Sequence, residues 1–339
     1  MVIISLSSLA KKDDDIIMSK FTLENFDNIN RQISDAILFV EESWYCYNDL
    51  VSAMEKLNSL EVHDRQVRDF IDLLNIQYLI KTGRNKAALE LLDKLEENDQ
   101  FSFRGRLQFL KGQVNLLLKN YLESYSNYVN AKRIFKEKYD SIALVYTELS
   151  FIKTYASIDN REIAKSSFLE GLGLCQKLHY NKGTVKIYRV YGEFSANFDV
   201  SYAYDLLSAG WDISKNESKT TQLLFAIGYL KFMLRYEFYN EFNKGYNSII
   251  NMADENCLNP YYSTIYTLKA HYYEIHGKID SVQKMNKKAL FIRKKNDNKS
   301  MIGYSYLNLL GNSIELGLTN DAKQYLDSAY QFLYTKGEI

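Results

Sequence analysis

Catalytic or metal chemistry would show first in histidines, cysteines and glycine-rich motifs, and this chain carries few of them. The histidines are His63, His179, His271 and His276. The last two stand five apart in HYYEIH, whereas a helical zinc pair needs an i, i+4 spacing to share one face; a structural or surface role follows. Cys46, Cys175 and Cys257 are far apart and odd in number, which gives neither a disulfide framework nor zinc spacing and suits a reducing compartment. GLG at Gly171 to Gly173 lacks the third glycine and the preceding strand of a dinucleotide fingerprint. No P-loop, G-x-S-x-G elbow, EF-hand loop or CxxC occurs. NES at Asn216 and NKS at Asn298 match the glycosylation sequon, a pattern short enough to arise by chance. No catalytic residue, metal or cofactor is expected, and the chain is not expected to be an enzyme.

The polar residues suggest binding instead. Steps of 39–40 residues connect Gln113, Lys153, Gly192, Lys231, His271 and Gly311, with Asn115, Arg189, Glu193, Asn308 and Asn312 beside them. Amides and cations repeated along a groove could clamp the backbone or C-terminal carboxylate of a bound peptide. The candidate ligand set is therefore Gln113, Asn115, Lys153, Arg189, Lys231, His271, Asn308 and Asn312. A solvated helix face with no ligand is the competing reading.

The elements that must carry this stripe are set by an internal period. Ala329, Ala289, Ile249, Gly210, Gly171 and Ala131 form one ladder with steps of 39 or 40, and Ala322, Val282, Phe242, Ala203, Ala164, Ser124 and Ala88 form a second. Where both exist they are seven residues apart, about two helical turns, so the rungs share a face. Apolar-periodic stretches alternate with short polar turns, and each unit reads as two antiparallel helices. Gly83, Gly277 and Gly317 sit where a helix would end in a left-handed cap. A single proline in 339 residues fits a nearly all-helical chain; the 28 Tyr and 18 Phe would mostly fill gaps between helices.

GRNKAALELLDKL (Gly83 to Leu95) and GLTNDAKQYLDSAY near the C-terminus resemble the tetratricopeptide repeat, while the units around 200 to 250 depart from it, with Phe242 and Ile249 where small residues are usual. The period also exceeds the usual 34. The expected fold is an all-α, right-handed superhelical solenoid of about seven tetratricopeptide-like helix pairs with a short N-terminal helical bundle. Its concave face would hold the ligand. The expected organisation is a flexible tail over 1–20, the bundle over 21–75 and the repeats over 76–339.

Charge narrows the partners. Lys+Arg and Asp+Glu balance at 42 each, without the basic excess of a nucleic-acid protein. The basic run KMNKKALFIRKK, Lys284 to Lys295, has helical period and reads as a solvated face. MVIISLSSLA is too short to span a bilayer and lacks the regions of a signal peptide, and Met18 could be the native start. A cytoplasmic protein without membrane contact is expected.

Taken with LQFLKGQVNLLLKNYLESYSNYVNAKRIF (Leu107 to Phe135), the architecture resembles the peptide-pheromone receptors of Gram-positive bacteria and their phages, the Rap/NprR/PlcR/PrgX group. That resemblance implies a repeat domain that binds a short imported signalling peptide and so controls a protein partner. No helix-turn-helix is evident. In Rap-type members an N-terminal bundle engages a response regulator, some through a glutamine that promotes its dephosphorylation. DRQVRDFIDLLNIQYL (Asp64 to Leu79) resembles that region and Gln66 is the matching residue, with an exposed helix glutamine as the plain alternative. The partners implied are a short peptide or extended protein segment, a response regulator or other protein, and, among assemblies the sequence allows, a second copy in a homodimer. A non-switching tetratricopeptide scaffold or co-chaperone, or the sensor part of a transcriptional regulator, stays open beside the receptor.

Overall fold

The computed structural model describes residues 47–252, 261–295 and 299–334, with positions 32, 33, 35–37 and 40 before them. The expected tail over 1–20 lies outside the described residues, as do Cys46, Cys257 and Asn298. Every element is an α-helix, with no strand among the described residues. After α1 (Tyr47–Asn58) come seven helix pairs: α2 (Arg65–Lys81) with α3 (Asn85–Glu96), α4 (Arg104–Leu117) with α5 (Tyr121–Glu137), α6 (Ser141–Ser157) with α7 (Arg161–Leu178), α8 (Asn181–Ser195) with α9 (Val200–Ser214), α10 (Lys219–Arg235) with α11 (Tyr239–Ile250), α12 (Tyr261–Ile275) with α13 (Ile279–Lys295), and α14 (Lys299–Glu315) with α15 (Thr319–Tyr334). Helix α2 runs through position 75, so the first pair begins at Arg65.

The chain divides into two compact units, Met1–Glu41 with Met54–Gln222, and Glu42–Ala53 with Leu223–Ile339. The first holds the pairs from α2 to α9; the second holds those from α11 to α15 with most of α10.

The turns explain the period. Gly83, Gly277 and Gly317 adopt φ of +75°, +67° and +69°, as the cap reading expects. The same place is taken by Lys119 (φ 65°), Asp159 (φ 52°) and Glu237 (φ 65°), residues whose Cβ makes the left-handed region unfavourable. The next helix often starts on a side-chain cap: Asp140 accepts from the Ala143 amide at 3.2 Å and Asp199 from the Tyr202 amide at 2.9 Å.

Both small-residue ladders point inward. Ala131, Ala289 and Ile249 are fully buried and Ala329 is 1% exposed. A Cβ on Gly171 would come within 2.8 Å of Ile187 Cδ1 and 3.1 Å of Glu148 Cβ, so a larger residue there would force those side chains to shift where α7 approaches α6 and α8. On the second ladder Ala88, Ser124, Ala164, Ala203 and Phe242 are fully buried, and Ser124 Oγ donates to the Gly112 carbonyl at 2.9 Å. Phe242 and Ile249, large where the repeat is usually small, are thus still core positions.

Candidate peptide-binding face

The first helix of each pair carries the proposed stripe. Gln113, Lys153, Lys231, His271 and Gly311 each lie six residues ahead of the left-handed residue of their own turn, so they are equivalent by structure as well as by interval. Lys153, Lys231, His271 and Gly311 are exposed and Gln113 is half-buried. Nothing lies within 4 Å of a Cβ placed on Gly311, which opens the stripe at that rung.

In the first unit, α6 and α8 bring charges together. Lys153 is exposed at its own surface while protein surrounds it at longer range. That surround holds its ammonium below the usual lysine range; the positive charge of Arg189 pushes the same way and the carboxylate of Glu193 partly offsets both. Two turns N-terminal to Lys153, Lys186 Nζ donates to Tyr146 Oη at 2.8 Å and stands 4.7 Å from the centre of that ring. Tyr146 and Lys186 are one repeat interval apart, a signal the stripe would have revealed two turns earlier along α6. Beneath this face Lys132 Nζ bridges the buried Glu148 at 2.6 Å and Glu170 at 2.9 Å. Burial pushes the Glu148 carboxyl up and Lys132 opposes it.

Asn115 is placed differently. It is 5% exposed, and its Oδ1 accepts from Asn120 Nδ2 at 3.2 Å, so it braces the turn between α4 and α5.

In the second unit Lys231, His271 and Asn308 are exposed on α10, α12 and α14. His271 Nδ1 lies 3.0 Å from Glu274 Oε2. Asn312 is 6% exposed and accepts from Asn286 Nδ2 at 2.7 Å, joining α13 to α14. Around Asn308 and Gly311 the same face of α14 exposes Tyr304 (48%), Leu307 (36%) and Ile314 (65%), an apolar strip the polar stripe did not foresee. Gln66 is exposed in the first turn of α2.

Of the remaining histidines, His63 is exposed beside Glu61, and the other two hold structure. His179 occupies a left-handed turn at φ 50°, and His276 packs 4.3 Å from the Tyr272 ring centre. Burial pushes the Cys175 thiol up to about 12, which leaves it unreactive. Among the described residues no group of three histidine, cysteine or carboxylate side chains could hold a metal, and no helix is long and apolar enough to cross a membrane.

Solved structures share this fold. One, of a Rap protein complexed with competence and sporulation factor, matches with a TM-score of 0.59 at 11% identity over 93% of this chain and 90% of its own. The apo form of RapI matches with a TM-score of 0.52 at 14% identity over 94% and 91%. The fold is that of a tetratricopeptide array. A signal-transduction ATPase with a tetratricopeptide-repeat sensor, from Pyrococcus horikoshii, matches with a TM-score of 0.59 at 10% identity over 92% of this chain, which spans about half of that protein (48%). No protein-family model and no curated protein matches the chain. At these identities the likeness is one of fold, and in fold the chain resembles the Rap receptors along most of its length.

Proposed function

We propose that this protein is a regulatory receptor whose helix-borne inner face binds a short signalling peptide and thereby controls a protein partner. The observation that carries the reading is the cluster of Lys153, Arg189 and Glu193. The charges of Arg189 and Glu193 both act on the Lys153 ammonium, which surrounding protein and Arg189 hold below the ordinary lysine range. Such a site gains most from one more negative group, and a peptide's terminal carboxylate supplies it on an extended chain. Tyr146 with Lys186 offers the mixed polar and aromatic contacts that backbone and side chains of such a ligand need. The likeness to a Rap protein solved with competence and sporulation factor supports the same reading.

The role is one of binding without chemistry, in the cytoplasm, and the exposed Gln66 on α2 is proposed as a contact to the protein partner, a response regulator being the first candidate. A second copy in a homodimer is proposed as a further partner. The test is selection from a library of short peptides with free C-termini on the immobilised protein, followed by small-angle scattering with the enriched peptide. Enrichment with a fall in radius of gyration supports a switching receptor. Enrichment without contraction supports a non-switching scaffold, and no enrichment sinks peptide binding.

A further inference from the structure

Four residues after each rung of the first ladder comes a second buried position. Phe135, Cys175, Ser214 and Leu333 fill it in four of the pairs, all uncharged and none more than 1% exposed. The position after Ile249 lies outside the described residues. In the pair of α12 and α13 it is Arg293, 4% exposed. The other pairs pack without a charge here, so the arginine is a departure that the repeat does not require. Among the described residues no acidic group pairs with it, and burial alone holds its guanidinium below the usual arginine range.

Two hydroxyls meet it. Arg293 Nη1 donates to Ser305 Oγ of α14 at 2.6 Å, and Nη2 donates to Thr267 Oγ1 of α12 at 2.9 Å. Each hydroxyl gives its own proton to a carbonyl one turn back, Ser305 to Met301 and Thr267 to Ser263, both at 2.9 Å. Each therefore turns only a lone pair toward the arginine. A guanidinium carries five N–H groups in a planar fork, and here Nε is buried with no hydrogen-bond partner. Leaving a buried charged donor in that state is costly. Seven residues earlier on α13 the buried Asn286 shows the ordinary solution, donating to Asn312 Oδ1 of α14 at 2.7 Å. Thr267 is half-buried and stands one turn before the exposed His271 on the same face of α12, so Nη2 reaches the border of the inner stripe.

We infer that Arg293, held by Thr267 and Ser305, is the anchor of a carboxylate-binding site entered from the Thr267 side of α12. Nε–H and a neighbouring Nη–H are parallel donors that match the two oxygens of a carboxylate, and the negative charge of the ligand offsets the buried positive one. The hydroxyls position the fork and, with their protons spent on their own helices, donate nothing to the anion. A phosphate dianion suits the site less, because no lysine or second arginine acts on Arg293. The carboxylate belongs either to a free small acid or to an aspartate or glutamate side chain of a peptide. The site does not depend on the terminal carboxylate proposed for Lys153 and Arg189.

The test follows the thermal midpoint of the full chain at neutral pH and constant ionic strength. Sodium acetate or sodium phosphate replaces sodium chloride, or a tripeptide blocked at both ends is added with glutamate or glutamine at its centre. A ligand of the native state raises the midpoint as its concentration rises. For the wild type a carboxylate should do so, and chloride and the glutamine tripeptide should not. The rise should vanish in Arg293→Met, an apolar residue at a position where Leu333 stands in the last pair. Arg293→Lys keeps the charge without the fork and should need about tenfold more ligand for the same rise. It carries the comparison should circular dichroism show that Arg293→Met has lost helix content. Protection by the glutamate tripeptide assigns the site to a peptide side chain, and protection by acetate alone assigns it to a free small acid. An equal response in the wild type and both variants overturns the inference. So does a wild type that responds to neither carboxylate, which would leave Arg293 a structural bridge, and so does phosphate acting as well as acetate.

Discussion

Arg106 Nη1 donates to Asp140 Oδ2 at 2.9 Å across 34 residues of sequence, and the two side chains are 5% and 8% exposed. The pair ties the first helix of one repeat to the cap of the next, since Asp140 also accepts from the Ala143 amide at 3.2 Å. Arg106 stacks on Phe135 at 5.6 Å as well. Its charge is therefore held in place by packing and by hydrogen bonding.

Breaking this pair from one side leaves the other charge buried. Arg106→Ala is expected to lower stability by about 3–5 kcal/mol, read as a fall in the urea midpoint. Replacing both partners by apolar residues of similar size should be far milder for the buried pair, with a residual loss of roughly 1 kcal/mol from the missing Asp140 cap.

The turns offer the opposite sign. Lys119 and Glu237 hold φ of 65° where Gly277 and Gly317 stand in other pairs. Lys119→Gly and Glu237→Gly should each stabilise by about 0.5–1 kcal/mol, the strain relieved less the extra freedom of glycine in the unfolded chain. Gly277→Ala should destabilise by a similar amount. Thermal midpoints measured under one buffer condition would separate the three.

These turns also show how far the sequence could be read. The small-residue ladders located the core face of the helices, because close approach excludes large side chains whatever the partner, and the glycine caps located three turns. Lys119, Asp159 and Glu237 gave no such sign, since a strained residue leaves no compositional trace. The stripe placed Lys153, Lys231 and His271 at open positions, but a period of 39–40 fixes position along a helix only to within a residue. One residue is a rotation of about 100°, enough to put Asn115 and Asn312 inside. The Tyr146–Lys186 hydrogen bond depended on geometry between two helices, which neither residue announces alone.

Lys269 should leave a mark on stability against pH. It is 6% exposed, donates to Asn243 Oδ1 at 2.5 Å and has the ring centres of Tyr272, Tyr246, Tyr273 and Phe242 between 4.4 and 5.6 Å away. Burial, aided by repulsion from Lys278, holds its ammonium below the usual lysine range. A folded value below the unfolded one means that the unfolded chain binds more protons in the window between them, so stability rises with pH there. The wild type should gain stability from this group on going from neutral pH into the ordinary lysine range, and Lys269→Met should lose that increment. Urea midpoints across this range for both proteins would show it.

Lys153 makes the matching statement for ligand binding. Its ammonium is already below the usual range in the free protein, and a bound carboxylate would raise it. Below the free value both states hold the proton and affinity is full; above it, binding must take up a proton. Affinity for a peptide with a free C-terminus should fall as pH climbs from neutrality into the ordinary lysine range, and Lys153→Met should flatten that profile. Titration calorimetry in buffers of different ionisation enthalpy would detect the proton uptake.

The most direct test of the receptor reading compares one enriched peptide with a free C-terminus against the same peptide amidated, on the wild type and on the Lys153→Met/Arg189→Gln variant. The expected result is a loss of about tenfold or more on amidation for the wild type, and little difference between the two peptides for the variant. Equal affinity of free and amidated peptides for the wild type would contradict a carboxylate seated at Lys153 and Arg189.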